Sequence, residues 1–129
     1  MGTAGAATRR VLLDTNALMT AVRLNLDLAA ELRRAAPGWS LAVPKCVLDE
    51  LEGLKGRRNA REARALALRF PAVPSAGGSG DAALLETALS GAGRAVLTND
   101  RALRAALRKA GVTVLYVRGR DRIEVDGPL

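Results

Sequence analysis

Apolar positions along the chain follow two periods. Short continuous runs predict buried strands at about 10–14, 40–43, 95–98 and 112–117, and RIEV predicts a last edge strand near 122–125. Between them, apolar residues recur at helical spacing. A short helix is expected over about 16–23, followed by LDLAAELRRAA, with Asn25 as its cap and Leu28, Leu32 and Ala36 on its buried side. Pro37-Gly38 ends that helix. Pro44 suits the first turn of the next, KCVLDELEGLKG, which turns Val47, Leu48, Leu51 and Leu54 inward and stops at Gly56. NAREARALALRF is helical by composition. Pro71 and the Gly/Ser-rich PSAGGSG then break the pattern as a loop. Asp81 opens a helix burying Leu84, Leu85, Ala88 and Leu89. Asp100 opens the last, with Leu103, Ala106, Leu107 and Ala110 inward and Gly111 at its end.

Strands alternating with helices predict an α/β fold: a central, mainly parallel sheet flanked by helices. A length of 129 residues suits one domain, here 9–129, after a flexible N-terminus over 1–8. Aromatic residues are scarce, so Leu, Ala and Val must fill the core. Trp39 reads as a packing residue and Tyr116 as a partly exposed strand residue. Neither supports a base-stacking platform.

Charge and composition narrow the chemistry. The formal charge is +7, which favours a polyanionic partner, nucleic acid first. There is no His and a single Cys, Cys46, which excludes an internal disulfide, a soft zinc site and His-based acid–base catalysis. Any enzyme chemistry must rest on carboxylates. The opening MGTAGAATRR lacks the apolar stretch of a signal peptide, and no segment approaches a membrane span. An intracellular, cytoplasmic protein with no membrane association is the expectation.

Four acids stand at equivalent structural positions. Asp14 ends the first strand in VLLDTNALM. Asp100 follows the strand AVLT by two residues. Asp81 starts a helix after the Gly-rich loop. Glu50 lies early in a helix that follows a strand and borders its buried face, whereas Asp49 and Glu52 point outward. In parallel α/β sheets, ligands bind beyond the carboxyl ends of the strands, so all four could meet there. Hard oxygens clustered in this way suit Mg²⁺ or Mn²⁺. Such an ion bridges phosphate oxygens and activates water, which gives phosphodiester hydrolysis without His. The alternative stays open residue by residue: Asp14, Asp81 and Asp100 are also good helix N-caps. Two arginine groups, Arg57, Arg58, Arg61 and Arg64, then Arg101, Arg104 and Arg108, read equally as RNA contacts or as solvated faces. Arg118 and Arg120 read the same way.

In order and spacing, LLDTNALM, PKCVLDELEGL, GSGDAALLETAL and AVLTNDRALRAALRKAGVTVLYVRG resemble a PIN domain, the metal-dependent ribonuclease family, over roughly residues 9–118. The resemblance implies a three-layer Rossmann-like fold. It implies Mg²⁺ or Mn²⁺ held by Asp14, Glu50, Asp81 and Asp100. It also implies endonucleolytic cleavage of single-stranded RNA. Asn16 and Thr98 match polar positions that orient the carboxylates. One departure is Gly80, which stands where many members carry an acid beside the third motif. The C-terminal third looks more like the archaeal ribosomal-RNA-processing type, with an rRNA precursor as substrate and a ribosome-assembly protein as partner. The rival readings are a VapC-type toxin held by an antitoxin and a catalytically degenerate RNA-binding module. Homodimers are common in the family.

Overall fold

The structure is a computed structural model and describes residues 9–75, 77–78 and 80–129. The expected flexible N-terminus over 1–8 lies outside the described residues, as do Ala76 and Ser79 of the PSAGGSG loop. Six strands form one sheet: β1 (Arg10–Leu13), β2 (Ser40–Pro44), β3 (Ala72–Val73), β4 (Ala95–Leu97), β5 (Thr113–Arg118) and β6 (Arg122–Asp126). Their spatial order is β3-β2-β1-β4-β5-β6. Every pairing is parallel except the β5–β6 hairpin. Six helices are described: α1 (Thr15–Leu24), α2 (Leu28–Ala35), α3 (Lys45–Gly53), α4 (Ala60–Ala67), α5 (Gly80–Leu89) and α6 (Arg101–Lys109).

Side chains alternate across a strand, and the sheet uses that alternation to build two cores. Val11, Leu13, Val43, Leu97 and Leu115 turn to the face covered by α1 to α4, where they meet Leu18, Leu28, Leu32 and Leu51. Leu12, Ala42, Val96 and Val114 turn to the other face, against Leu84 on α5 and Leu103 and Leu107 on α6. Burial on both faces explains why the strands read as unbroken apolar runs. Packing is tight enough to require a glycine. A Cβ on Gly93 would sit 2.8 Å from Leu12 Cγ and 3.0 Å from the Arg10 carbonyl oxygen.

The structure corrects several expectations. Asn25 does not cap α2. It ends α1 in the left-handed conformation (φ 52°), a region Asn tolerates, and Asp27 caps α2 by accepting from the Ala30 amide at 3.1 Å. Helix α3 stops at Gly53 rather than Gly56. Strand β3 was not anticipated. It is two residues long and pairs with Val43 and Pro44 of β2, too short for any period to show. Ala106, Ala110 and Leu89 face solvent, and Leu48, Leu54 and Leu85 are only half-buried. On α5 the buried set is Ala83, Leu84, Thr87 and Ala88. Trp39 packs, partly buried, against the larger core, as expected.

Strand order determines where a ligand can reach the backbone edge. From β1 the chain winds outward to β2 and β3, then crosses back to β4 on the other side. The gap between β1 and β4 is therefore the switch point of the sheet, where parallel α/β folds open a crevice beyond the strand ends.

Candidate active site

Asp14 leaves β1 at this switch point and caps α1. Its Oδ1 accepts from the Ala17 amide at 2.6 Å, and its Oδ2 accepts from the Thr98 hydroxyl. Asp100 leaves the end of β4 and caps α6, accepting from the Leu103 amide at 2.9 Å. Thr98 joins the two turns, because its hydroxyl also accepts from the Asp100 amide at 3.0 Å. Thr98 is fully buried and its own amide donates to Leu115 on β5 at 2.9 Å, so the link is rigid.

Asp14, Glu50, Asp81 and Asp100 line one cavity of about 230 Å³, together with Asn16, Thr15, Cys46 and Gly80. The four predicted acids are thus brought to one place from three helix starts and, for Glu50, the second turn of α3. Capping and cavity lining coexist in Asp14 and Asp100, because a carboxylate has lone pairs left after accepting one amide. Glu50 is exposed on α3 and accepts from the Thr15 hydroxyl. Asp81 is exposed in the first turn of α5. Asp49 and Glu52 are also exposed but do not line the cavity, and Glu52 pairs instead with Arg64 at 2.9 Å and Lys55 at 3.6 Å.

Burial dominates the electrostatics of the cavity, and the neighbouring acids add to it. Burial pushes the Asp14 carboxyl up to about 7. The bonds from Thr98 and Ala17 oppose that rise, and the charges of Asp81 and Asp100 add to it. Asp81 is raised as well, by burial first and then by the charges of Asp100 and Glu50. Among the described residues, no three Asp, Glu, Cys or His side chains already form a set that could hold a metal ion. The acids share a cavity without closing around a point.

Gly80 has φ +72°, a conformation that L side chains rarely adopt. The missing second acid beside Asp81 is therefore matched by the backbone. Thr15 was passed over in the sequence, although a hydroxyl one residue after Asp14 in DTN was the available signal.

The arginines divide. Arg57, Arg58 and Arg61 are exposed, in the turn after α3 and at the start of α4. Arg101 is exposed beside Asp100. Arg104 is engaged inside the protein: it pairs with Asp126 at 3.0 Å and lies 4.0 Å over the Tyr116 ring. Arg108 reaches the same Asp126 at 3.5 Å.

A doubly wound sheet with acids at its switch point, rather than a glycine-rich phosphate loop, defines an α/β protein with an acidic edge site. The chain belongs to the PIN-like domain family, whose model matches residues 11–120. Its fold is also that of a solved structure described as the PIN domain endonuclease Utp24, with a TM-score of 0.78, 25% identity and 95% of each chain covered. No curated protein matches the chain. Among the described residues, no helix is long and apolar enough to cross a membrane.

Proposed function

We propose that the protein is a divalent-metal-dependent endoribonuclease acting on single-stranded RNA. One observation carries the reading. Four acids from separate elements line a single cavity, and one of them is buried with its carboxyl raised to about 7 by burial and by its neighbours. A cation offsets both the burial and the repulsion that oppose ionisation here, and the oxygen donors suit Mg²⁺ or Mn²⁺. With no closed ligand set among the described residues, such an ion would be held by Asp14, Asp100, Asp81 and Glu50 partly through water, as Mg²⁺ usually is. When bound, it supplies Lewis acidity toward a phosphoryl oxygen and makes water nucleophilic at neutral pH.

The chain's own residues have separate tasks in this reading. Thr98 and the Ala17 amide fix the Asp14 carboxylate, so its position costs no reorganisation. Thr15 orients Glu50, and Asn16 stands at the cavity rim toward the substrate. Exposed Arg57, Arg58, Arg61 and Arg101 attract the RNA backbone. Hydrolysis leaves a 3′-hydroxyl and a 5′-phosphate. Asp14 retains its proton below about pH 7, so an ion held there would compete with that proton and bind more tightly as pH rises toward that value.

The family and the likeness to an endonuclease support nuclease chemistry. Ribosomal-RNA precursors as substrate, with a ribosome-assembly partner, are the finer assignment, resting on the sequence resemblance of the C-terminal third. Gly80 and the open ligand arrangement favour one second reading, an RNA-binding module without turnover. Cleavage of an unstructured RNA oligonucleotide with Mn²⁺ decides between them. The nuclease reading expects cleavage that Asp14→Asn lowers at least about 100-fold. Asn keeps the helix cap, so cleavage surviving in that variant would mean Asp14 is only a cap.

A further inference from the structure

Beyond the acid cavity, across the turn Thr98–Asn99–Asp100, lies a second hollow of about 270 Å³. Thr98, Asn99, Arg101, Arg104, Tyr116 and Arg118 are among its lining residues. Three of these carry a guanidinium and none carries an acid. Asp126 draws on Arg104 from outside the lining. Arg101 and Arg118 are exposed. The two cavities share a wall: Asp100 belongs to the acid side, Arg101 to the basic side, and Thr98 ties the turn by bonding to both Asp14 and the Asp100 amide. Neighbouring Cα atoms are about 3.8 Å apart, so the cavities are neighbours along the sheet edge.

The floor of the hollow is fixed. Asn99 closes a two-bond bridge to Val117 on β5, its amide nitrogen donating to the Val117 carbonyl at 2.9 Å and its oxygen accepting from the Val117 amide at 2.9 Å. Arg104 is held between Tyr116 and Asp126, which leaves its charge in place at low conformational cost. Concave shape, three guanidinium groups with no acid in the lining, and adjacency to the acids all point to an anion shared with the acid cavity's substrate.

We infer that this hollow is a phosphate subsite. It holds, on Arg101 and Arg118, a backbone phosphate of the RNA strand next to the one presented to the acids. This rests on the nuclease reading above, and it gives the strand a direction across the edge: acids over β1 and β4, phosphate clamp over β4 and β5. Guanidinium groups suit the task, since their fork matches phosphate oxygens. Tyr116 is excluded as a base platform on the face Arg104 covers.

The test is metal-free binding of a fluorescent single-stranded RNA oligonucleotide at several salt concentrations. The paired change Arg101→Gln with Arg118→Gln should weaken binding about tenfold and reduce the slope of log affinity against log salt by about 0.7, the value for one phosphate no longer neutralised. The same charge loss at the opposite sheet edge, Arg9→Gln with Arg94→Gln, should leave that slope unchanged. An unchanged slope in the first pair, equal losses in both pairs, or no RNA binding by the unaltered protein overturns the subsite. Salt-dependent binding that the first pair weakens, without Mn²⁺-dependent cleavage, supports the subsite and overturns only the nuclease reading.

Discussion

The β1–α1 and β4–α6 junctions follow the same local plan. In both, a buried parallel strand ends, an Asp caps the next helix, and the carboxylate faces the cavity at the switch point. They differ in depth. Asp14 is 6% exposed and has two donors, the Ala17 amide and the Thr98 hydroxyl. Asp100 is half-buried and has the Leu103 amide as its side-chain donor, while Thr98 contacts its backbone instead. Thr98, supplied by the β4 junction, covers the acid of the β1 junction. One aspartate therefore carries most of the desolvation, and the other stays wet at the boundary with the basic hollow. A shared motif thus gives two acids with different duties, and the differences can be measured.

The largest expected effect is on stability against pH. The Asp14 carboxyl is raised in the folded protein to about 7 from 3.8. Below 3.8 it is protonated in both states and costs nothing. Between 3.8 and 7 the unfolded chain ionises first, so the metal-free protein loses stability as pH rises, by up to about 1.4 kcal/mol per pH unit. Above 7 the loss is complete, about 4 kcal/mol. Asp14→Asn should therefore raise the metal-free melting temperature at pH 8, with the gain vanishing near pH 4. Asp100→Asn should produce no gain of that size. Thermal melts of the three proteins at pH 4, 6 and 8 check this, and a gain of equal size in both variants would mean the two junctions are equivalent.

Thr98→Val sharpens the same comparison. The change keeps the shape and removes one hydroxyl that donates to Asp14 and accepts from the Asp100 amide. A buried donor and acceptor then go unpaired, at a cost of about 1–3 kcal/mol. The loss should be greater at pH 8, where Asp14 is ionised and needs the donor, than at pH 5. Chemical denaturation at the two pH values reads it. A loss independent of pH would mean Thr98 serves only the Asp100 backbone.

How far this was readable from sequence follows from the physics of each element. Continuous runs such as Val11-Leu12-Leu13 announced the central strands because both sheet faces are covered. Asp14 and Asp100 were recognisable by position, at or two residues past the end of such a run, although helix capping stayed open for both in the sequence. Helix α5 was harder. GDAALLETAL is apolar almost all round, so its phase is undetermined in sequence, and Leu89 was placed inside although it is 55% exposed. Thr87 takes a buried position instead, its hydroxyl donating to the Ala83 carbonyl at 2.7 Å within the helix. That self-satisfied hydroxyl made a core position look polar. Asn25 and Asp27 stand two apart, both able to cap, and only the left-handed turn at Asn25 decides which one does. Strand β3 exists because the edge of β2 offers it a partner. The shared cavity is a property of strand order, and the covering of Asp14 by Thr98 brings together residues whose hydrogen bond spans 84 positions of sequence.

The smallest effect isolates capping from charge at the wetter junction. Asn at position 100 can still accept from the Leu103 amide, whereas Ala leaves that first-turn donor to water. Asp100→Ala should therefore unfold at lower denaturant than Asp100→Asn, by about 1 kcal/mol. Both lose the carboxylate, so any Mn²⁺-dependent cleavage should fall equally in the two. Measuring denaturation and cleavage on the same pair separates the duties: stability follows the hydrogen bond, and catalysis follows the charge. If cleavage instead followed stability, with Asn near the unaltered rate and Ala well below it, Asp100 would be a cap alone, and the acid site would reduce to Asp14, Glu50 and Asp81.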